Sequence, residues 1–183
     1  MAIIRRKKNP EAVLRRAHLG NVDNPLELVS LAKKNGLQTQ PLDVDGLLKV
    51  LGLAVEYSSD LPSDVSGKLQ KKDEGWICIV NKNHHPTRQR FTLAHELGHY
   101  VLHRNQNTDF VDHTYFRKAD NINSMEFEAN QFAGEILMPK ETFSYFLKFV
   151  SSDINKVAEA FGVSPLAASV RAKQLRLVGG GVK

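Results

Sequence analysis

The feature that most constrains this chain is a run of evenly spaced histidines in FTLAHELGHYVLH, residues 91–103. The segment has no proline and its apolar residues recur at helical spacing, which predicts an α-helix from about residue 87 to residue 103. Residues four apart lie on one face of a helix, so His95 and His99 can bind one metal ion. Because two imidazoles are half of a tetrahedral zinc shell, this helix has to pack where a further ligand can reach it.

Two carboxylates complete the predicted site. Glu96 points about 100° around the helix from His95, so it can stand beside a metal-bound water without ligating the metal, as a general base does. His103 lies about 12 Å along the axis from His95 and cannot share its ion. The candidate third ligand is therefore Glu126, in EFEANQFA on a later predicted helix, with Asn130 on the same face to orient a histidine.

Other polar groups near the motif have open roles. His103 is expected either to line the cleft or to be a satisfied histidine at a helix end, where the helix dipole favours a cation. His103, His113 and Tyr115 are the candidates for stabilising an oxyanion. The sequence does not choose among them.

The composition is that of one ordinary globular domain. The chain has 183 residues, of which 42% are apolar and 25% charged. No stretch approaches the roughly 18 apolar residues of a membrane span, and the basic start does not lead into a secretory signal. Cys78 alternates with apolar residues in WICIV, which predicts a buried strand thiol rather than a nucleophile. We expect a cytoplasmic protein.

The pattern of helix and strand signals predicts an α+β fold. It should be mainly helical, with a small antiparallel β-sheet beside a zinc-binding helix pair. Strands are expected at residues 53–57, 65–70 and 75–81, and residues 105–123 are expected to form a loop. Besides the first metal helix, we expect helices at residues 10–20, 25–35, 43–51 and 123–138 and through the C-terminal third.

The two metal-binding segments carry a family resemblance. RFTLAHELGHYVLH followed by EFEANQFAGEILMP resembles the ImmA/IrrE family of zinc metallopeptidases. The resemblance implies that His95, His99 and Glu126 bind Zn²⁺ and that Glu96 is the general base. It implies cleavage of a partner protein, a helix-turn-helix repressor or an antitoxin. The substrate would pair in extended form with a sheet edge, for which the strands at 65–70 and 75–81 are the candidates.

We expect four segments along the chain. Residues 1–40 are predicted to be an N-terminal helical extension, residues 41–150 the metallopeptidase core, residues 151–178 a helix-turn-helix-like pair of helices, and residues 179–183 a flexible tail. The resemblance covers about residues 44–176, so the extension lies outside it. The extension begins with a cluster of basic residues, within a net charge of +5.

A DNA-binding regulator with a structural or vestigial metal site is the alternative interpretation. INKVAEAFGVSPLAASVRAKQLRL fits a helix-turn-helix pattern with Gly162 at the turn, and Arg171 and Lys173 could reach phosphate. The second helix offers few side chains that read bases, which favours a packing or substrate-docking role over DNA binding.

Overall fold

The computed structural model describes residues 24–113 and 124–177. Within these ranges the elements in chain order are α1 Pro25–Lys34, α2 Val44–Val50, β1 Ala54–Ser58, β2 Val65–Lys72, β3 Gly75–Asn81, α3 Pro86–His103, β4 Asp109–His113, α4 Ser124–Leu137, α5 Lys140–Tyr145, the π-helix Phe146–Val150, α6 Ile154–Phe161 and α7 Pro165–Gln174. The α+β, mainly helical class is confirmed. The helix expected at residues 10–20 and the tail at 179–183 lie outside the described residues.

The sheet has four strands in the order β1-β3-β2-β4. β2 is antiparallel to both β3 and β4, as expected, but β1 pairs in parallel with β3. The predicted antiparallel pair is therefore confirmed, but it belongs to a mixed sheet. β1 pairs with the side of β3 that does not face β2. It runs parallel to β3 and therefore antiparallel to β2. This order also places β2 and β3 in the interior of the sheet, so the predicted substrate edge is wrong. Within the described part of the chain, the edge strands are β1 and β4.

The fourth strand lies in the segment that was expected to be a loop. Phe110 and Asp112 in β4 are both buried, while Val111 between them is partly exposed. This alternation lets the short strand pair with β2, with a register shift between Val65 and Gly67. The polar residues on either side conceal the alternation in the sequence.

Helix α3 packs against the sheet and against α4. Its Gly98 faces α4 so closely that an added Cβ atom would lie 3.1 Å from Ala129 Cα and 3.2 Å from the ring of Phe132. The absence of a side chain at Gly98 therefore permits the two helices to approach at the level of the histidines. Cys78 lies in β3 and is fully buried, as predicted, and burial raises the pKa of its thiol well above the usual value.

The C-terminal helices pack onto the rest of the described structure. Gly162, with φ +61°, ends α6, and its carbonyl oxygen accepts a hydrogen bond of 2.9 Å from Arg90 Nε of α3. Arg171 of α7 is 5% exposed, donates to the Met138 carbonyl at 3.1 Å and forms an ion pair with Glu135. The prediction that Arg171 could reach phosphate is wrong, because its guanidinium is used to fix α7 to α4.

Candidate metal centre

Three ligand atoms converge between α3 and α4. His95 Nε2 and His99 Nε2 are 3.0 Å apart, and the two oxygens of Glu126 lie 3.2 Å from His95 Nε2 and 3.1 Å from His99 Nε2. In a tetrahedral zinc site with bonds of about 2.0–2.1 Å, ligand atoms lie about 3.3 Å apart. These side chains therefore fit a metal ion with little rearrangement, and they are the metal-binding group found among the described residues.

Both helices contribute through their local geometry. His95 and His99 are one turn apart on α3 and almost fully buried, with rings 4.6 Å apart between centroids. Glu126 lies in the first turn of α4, where a carboxylate is also favoured by the helix dipole. Within the described structure, the Nδ1 atoms of both histidines are buried without a hydrogen-bond partner. Asn130 therefore does not orient either ring as predicted.

The surroundings of His99 and Glu126 favour the protonation states that bind metal. Burial lowers the pKa of His99, although Glu126 opposes this effect. Burial also acts to raise the pKa of Glu126, but the adjoining rings of His95 and His99 outweigh it and hold that pKa well below its usual range. Neutral imidazole and ionised carboxylate are the forms that ligate a divalent cation.

Glu96 lies beside this cluster without belonging to it. The carboxylate is completely buried, and neither oxygen has a hydrogen-bond partner among the residues the structure describes. Burial raises its pKa well above the usual value, and the negative charges of Asp112 and Glu126 add to the effect. Gly67 of β2 leaves room for it, because a Cβ atom there would lie 3.3 Å from Glu96 Oε1.

The comparisons with known proteins agree with this geometry. The sequence matches the model of the family Peptidase_M78, the IrrE N-terminal-like domain, over residues 48–173. The chain belongs to this family. The matched segment contains both metal-ligand helices and the C-terminal pair as far as α7, and it confirms the resemblance stated from the motifs.

Named relatives of the Peptidase_M78 chain come from Bacillus and one of its phages. It is 35% identical over 98 residues to uncharacterized immunity region protein 2 of Bacillus phage phi105, a match that covers 52% of this chain and 60% of the relative. It is 27% identical over 113 residues to metallopeptidase ImmA of Bacillus subtilis (strain 168), covering 60% of this chain and 64% of the relative. The matches thus span less than two thirds of either relative.

A solved structure supports the fold. A Mycobacterium tuberculosis transcriptional regulator superimposes with a TM-score of 0.59 at 18% identity, over 90% of this chain and 52% of the other. At that identity the likeness concerns architecture. Among the helices of the described ranges, none is long and apolar enough to cross a membrane.

His103 has a structural position in this Peptidase_M78 domain. Its Nε2 lies 3.2 Å from the Met125 carbonyl oxygen and 3.6 Å from Glu128 Oε2, so it connects the end of α3 to the start of α4. It is not a member of the metal-binding group. Of the two roles left open, these contacts fit a histidine at a helix end, but only Nε2 is satisfied: Nδ1 is buried without a hydrogen-bond partner among the described residues. Glu128, which is exposed, points to this side of α4 and not to the cluster.

The structure describes one of the other two oxyanion candidates. His113 Nδ1 lies 3.6 Å from Asp64 Oδ2 and is partly exposed. Tyr115 lies outside the described residues.

Sequence reasoning missed two residues of β4 beside the site. The ring of Phe110 stacks on His99, with centroids 4.5 Å apart and planes 21° from parallel. Asp112 is buried with Oδ2 unpartnered within the described structure, and its charge acts on both Glu96 and His99. The sequence signal that could have predicted this strand is the alternation in DFVDH, residues 109–113. Its second and fourth residues, Phe110 and Asp112, lie on one face of the strand, and both are buried.

Proposed function

We propose that this chain is a zinc-dependent metalloendopeptidase that cuts a peptide bond in a partner protein. The observation that carries the proposal is Glu96, a fully buried carboxylate with neither oxygen hydrogen-bonded to a described residue, next to three converging ligand atoms. Burying such a group without partners is costly to stability, so its retention needs a reason outside folding. A general base beside a metal site is such a reason.

His95, His99 and Glu126 would hold the zinc ion. Two imidazoles and one carboxylate are a donor set that suits zinc and leaves a coordination position open. When bound, the ion supplies Lewis acidity, which polarises the scissile carbonyl and brings the pKa of a coordinated water to about 7.

Glu96 would act as the proton carrier. It takes a proton from the attacking water at one of its carboxylate oxygens and returns it to the leaving amine. Burial raises the pKa of Glu96 above that of an exposed glutamate, which makes its carboxylate a stronger base. The walls of α3 and β2 exclude bulk water from the carboxylate, which strengthens its interactions with the reacting groups.

The substrate would lie along β4. Among the described strands, β4 pairs only with β2, and its Phe110 contacts the ligand His99, so its other side is the described sheet edge nearest the metal cluster. Main-chain pairing with an edge strand binds an extended peptide without requiring a particular sequence. The proposed substrate-binding edge is therefore β4, and not β2 or β3 as predicted from the sequence.

The proposed partner is a helix-turn-helix transcriptional repressor or an antitoxin. Support comes from the family and from relatives named as an immunity region protein and as metallopeptidase ImmA. We keep residues 41–150 as the peptidase core, residues 151–178 as a partner-docking pair of helices, and residues 1–40 as a helical extension. Leu166 and Val170, one turn apart on α7, are 75% and 46% exposed, which suits protein contact better than phosphate contact.

The peptidase proposal is tested with matched variants. Glu96→Gln should retain one zinc per chain and the native fold but lose about 10²–10⁴-fold of peptidase rate, because the metal site remains and the base does not. Glu126→Ala should lose zinc, whereas Glu128→Ala on the same helix should keep it. Elemental analysis and cleavage assays measure both. Full activity of the Glu96→Gln variant would remove Glu96 from the mechanism.

The substrate is tested separately. The zinc-loaded chain is mixed with casein and with a candidate helix-turn-helix repressor, chosen from the genes that flank its own, and the fragments are mapped by mass spectrometry. One or two cuts in an exposed or locally unfolded repressor segment are expected, because folded proteins offer few extended segments to an edge strand. Degradation of casein with an intact repressor would exclude the regulatory role. Salt-sensitive binding to duplex DNA without cleavage of either protein would instead favour the DNA-binding alternative.

A further inference from the structure

A second concave site lies on another face of α3. A cavity of about 370 Å³ lies between α3, α1 and the turn that joins β2 to β3. It is within the range of about 300–1,000 Å³ that is usual for small-molecule sites. The metal ligands do not line it. Tyr100 and Val101 of α3, together with Arg104 directly after its last residue, form one wall. Successive residues of a helix point about 100° apart, so this wall is turned away from His99.

The cavity has an apolar floor and a cationic rim. Leu28, Trp76 and Val101 are buried or nearly so and form apolar surface. Lys71 and Lys72 stand exposed at the mouth. With Arg104 the lining has three cations against the single carboxylate of Asp73. A ligand that matches this surface carries negative charge at one end and an apolar body at the other.

Arg104 is held in place before any ligand arrives. Its Nη1 donates to the carbonyl oxygens of Tyr100 at 3.0 Å and Val101 at 2.6 Å, and its Cζ lies 5.2 Å from the centroid of the Tyr100 ring. No carboxylate of the described residues forms an ion pair with Arg104, Lys71 or Lys72. A guanidinium fixed by its neighbours and not neutralised by an acid is suited to bind a planar or tetrahedral anion.

We propose that this cavity binds a small organic anion, with a phosphate or carboxylate at the cationic rim and an apolar or aromatic body on the buried floor. The cavity shares α3 with the metal cluster but none of its ligands. The proposal therefore does not depend on the peptidase function.

The chain contains a built-in reporter for this site. Trp76 is the only tryptophan in the sequence and lines the cavity, with its ring 5.8 Å from that of Tyr100. Tryptophan fluorescence of the metal-loaded full chain is followed during titration with phenyl phosphate, benzoate, benzyl alcohol and inorganic phosphate. We expect saturable changes with phenyl phosphate or benzoate, and the tighter of the two identifies the preferred anion. Benzyl alcohol and inorganic phosphate should bind at least about tenfold more weakly, since each lacks one half of the ligand.

Charge variants localise the response. Lys71→Gln with Lys72→Gln should weaken binding at least about fivefold by removing two rim charges, and added salt should weaken binding to the wild type. Lys33→Gln with Lys34→Gln removes the same charge from exposed positions on α1 and should leave binding unchanged. Glu126→Ala, which tests the metal centre, should also leave it unchanged.

Four results would overturn the proposal. They are the absence of a saturable response to either anion, equally tight binding of benzyl alcohol, equal weakening by both lysine pairs, and loss of the response in Glu126→Ala. The last result would assign the anion to the metal centre, whereas failure of peptidase activity with a normal Trp76 response would leave this inference intact.

Discussion

Gly67→Ala tests the contact between β2 and the helix that carries the proposed base. A Cβ atom at this position would lie 2.5 Å from Thr92 Cγ2, 2.9 Å from the Ile79 carbonyl oxygen and 3.3 Å from Glu96 Oε1. Carbon atoms in contact are normally about 3.5–4.0 Å apart, so the first distance is short by about 1 Å. The new methyl group therefore has to displace either the strand or the helix.

Neither neighbour can yield easily. Gly67 is paired with Val80 of β3 on one side and with Asp112 of β4 on the other, and Thr92 is completely buried. Overpacking of this kind costs about 1–3 kcal/mol of the free energy of unfolding. For a domain of this size that corresponds to a fall in Tm of about 2–12 °C. Because Glu96 shares the contact, we expect peptidase activity to fall more than zinc content.

The chain offers a matched control for this substitution. Gly134 lies inside α4, and a Cβ atom there would meet nothing within 4 Å. Gly134→Ala should therefore stabilise the protein by up to about 1 kcal/mol through helix propensity. Urea unfolding followed by circular dichroism measures both variants. The reasoning is refuted if Gly67→Ala is as stable as the wild type, or if Gly134→Ala is destabilised to the same extent.

Three further predictions concern stability and metal binding. Arg171→Gln leaves Glu135 without its partner and should cost about 1.5–3 kcal/mol in urea unfolding, whereas the exposed Lys173→Gln should change stability by less than about 0.5 kcal/mol; equal effects would contradict the assigned ion pair. Phe143→Ala removes a fully buried ring and should cost about 3–5 kcal/mol, and a loss below 1 kcal/mol would place the ring outside the core. The amount of zinc retained after dialysis should decrease as the pH is lowered, because protons compete with zinc for the histidines. Burial lowers the pKa of His99 below its ordinary 6.5, so half of the zinc should be released only below pH 6.5. Half-release above pH 6.5 would contradict the buried environment assigned to His99.

Local patterns were sufficient wherever the relevant neighbours are close in sequence. The spacing of His95 and His99 fixes their common face, because helix geometry depends only on the chain between them. The start of α1 could be predicted in the same way, since the Asn24 side chain accepts a hydrogen bond from the Leu26 backbone N–H and Pro25 follows. The burial of Cys78 followed from alternation along β3.

What the tertiary structure decided depends on residues far apart in the chain. The order of the strands and the pairing of β4 with β2 bring together segments about 40 residues apart, and many orders share the same local pattern. The same holds for Arg171, which its sequence position left free for phosphate but which the packing of α7 on α4 buries against Glu135. The sequence alone thus determined which side chains could bind a metal and on which helices they lie. Only the packing of those helices and strands decided that Glu126 meets the histidines, that Asp112 and Gly67 lie near Glu96, and that β4 is the nearby sheet edge. These contacts depend on how closely whole elements approach one another, not on residue spacing within one element.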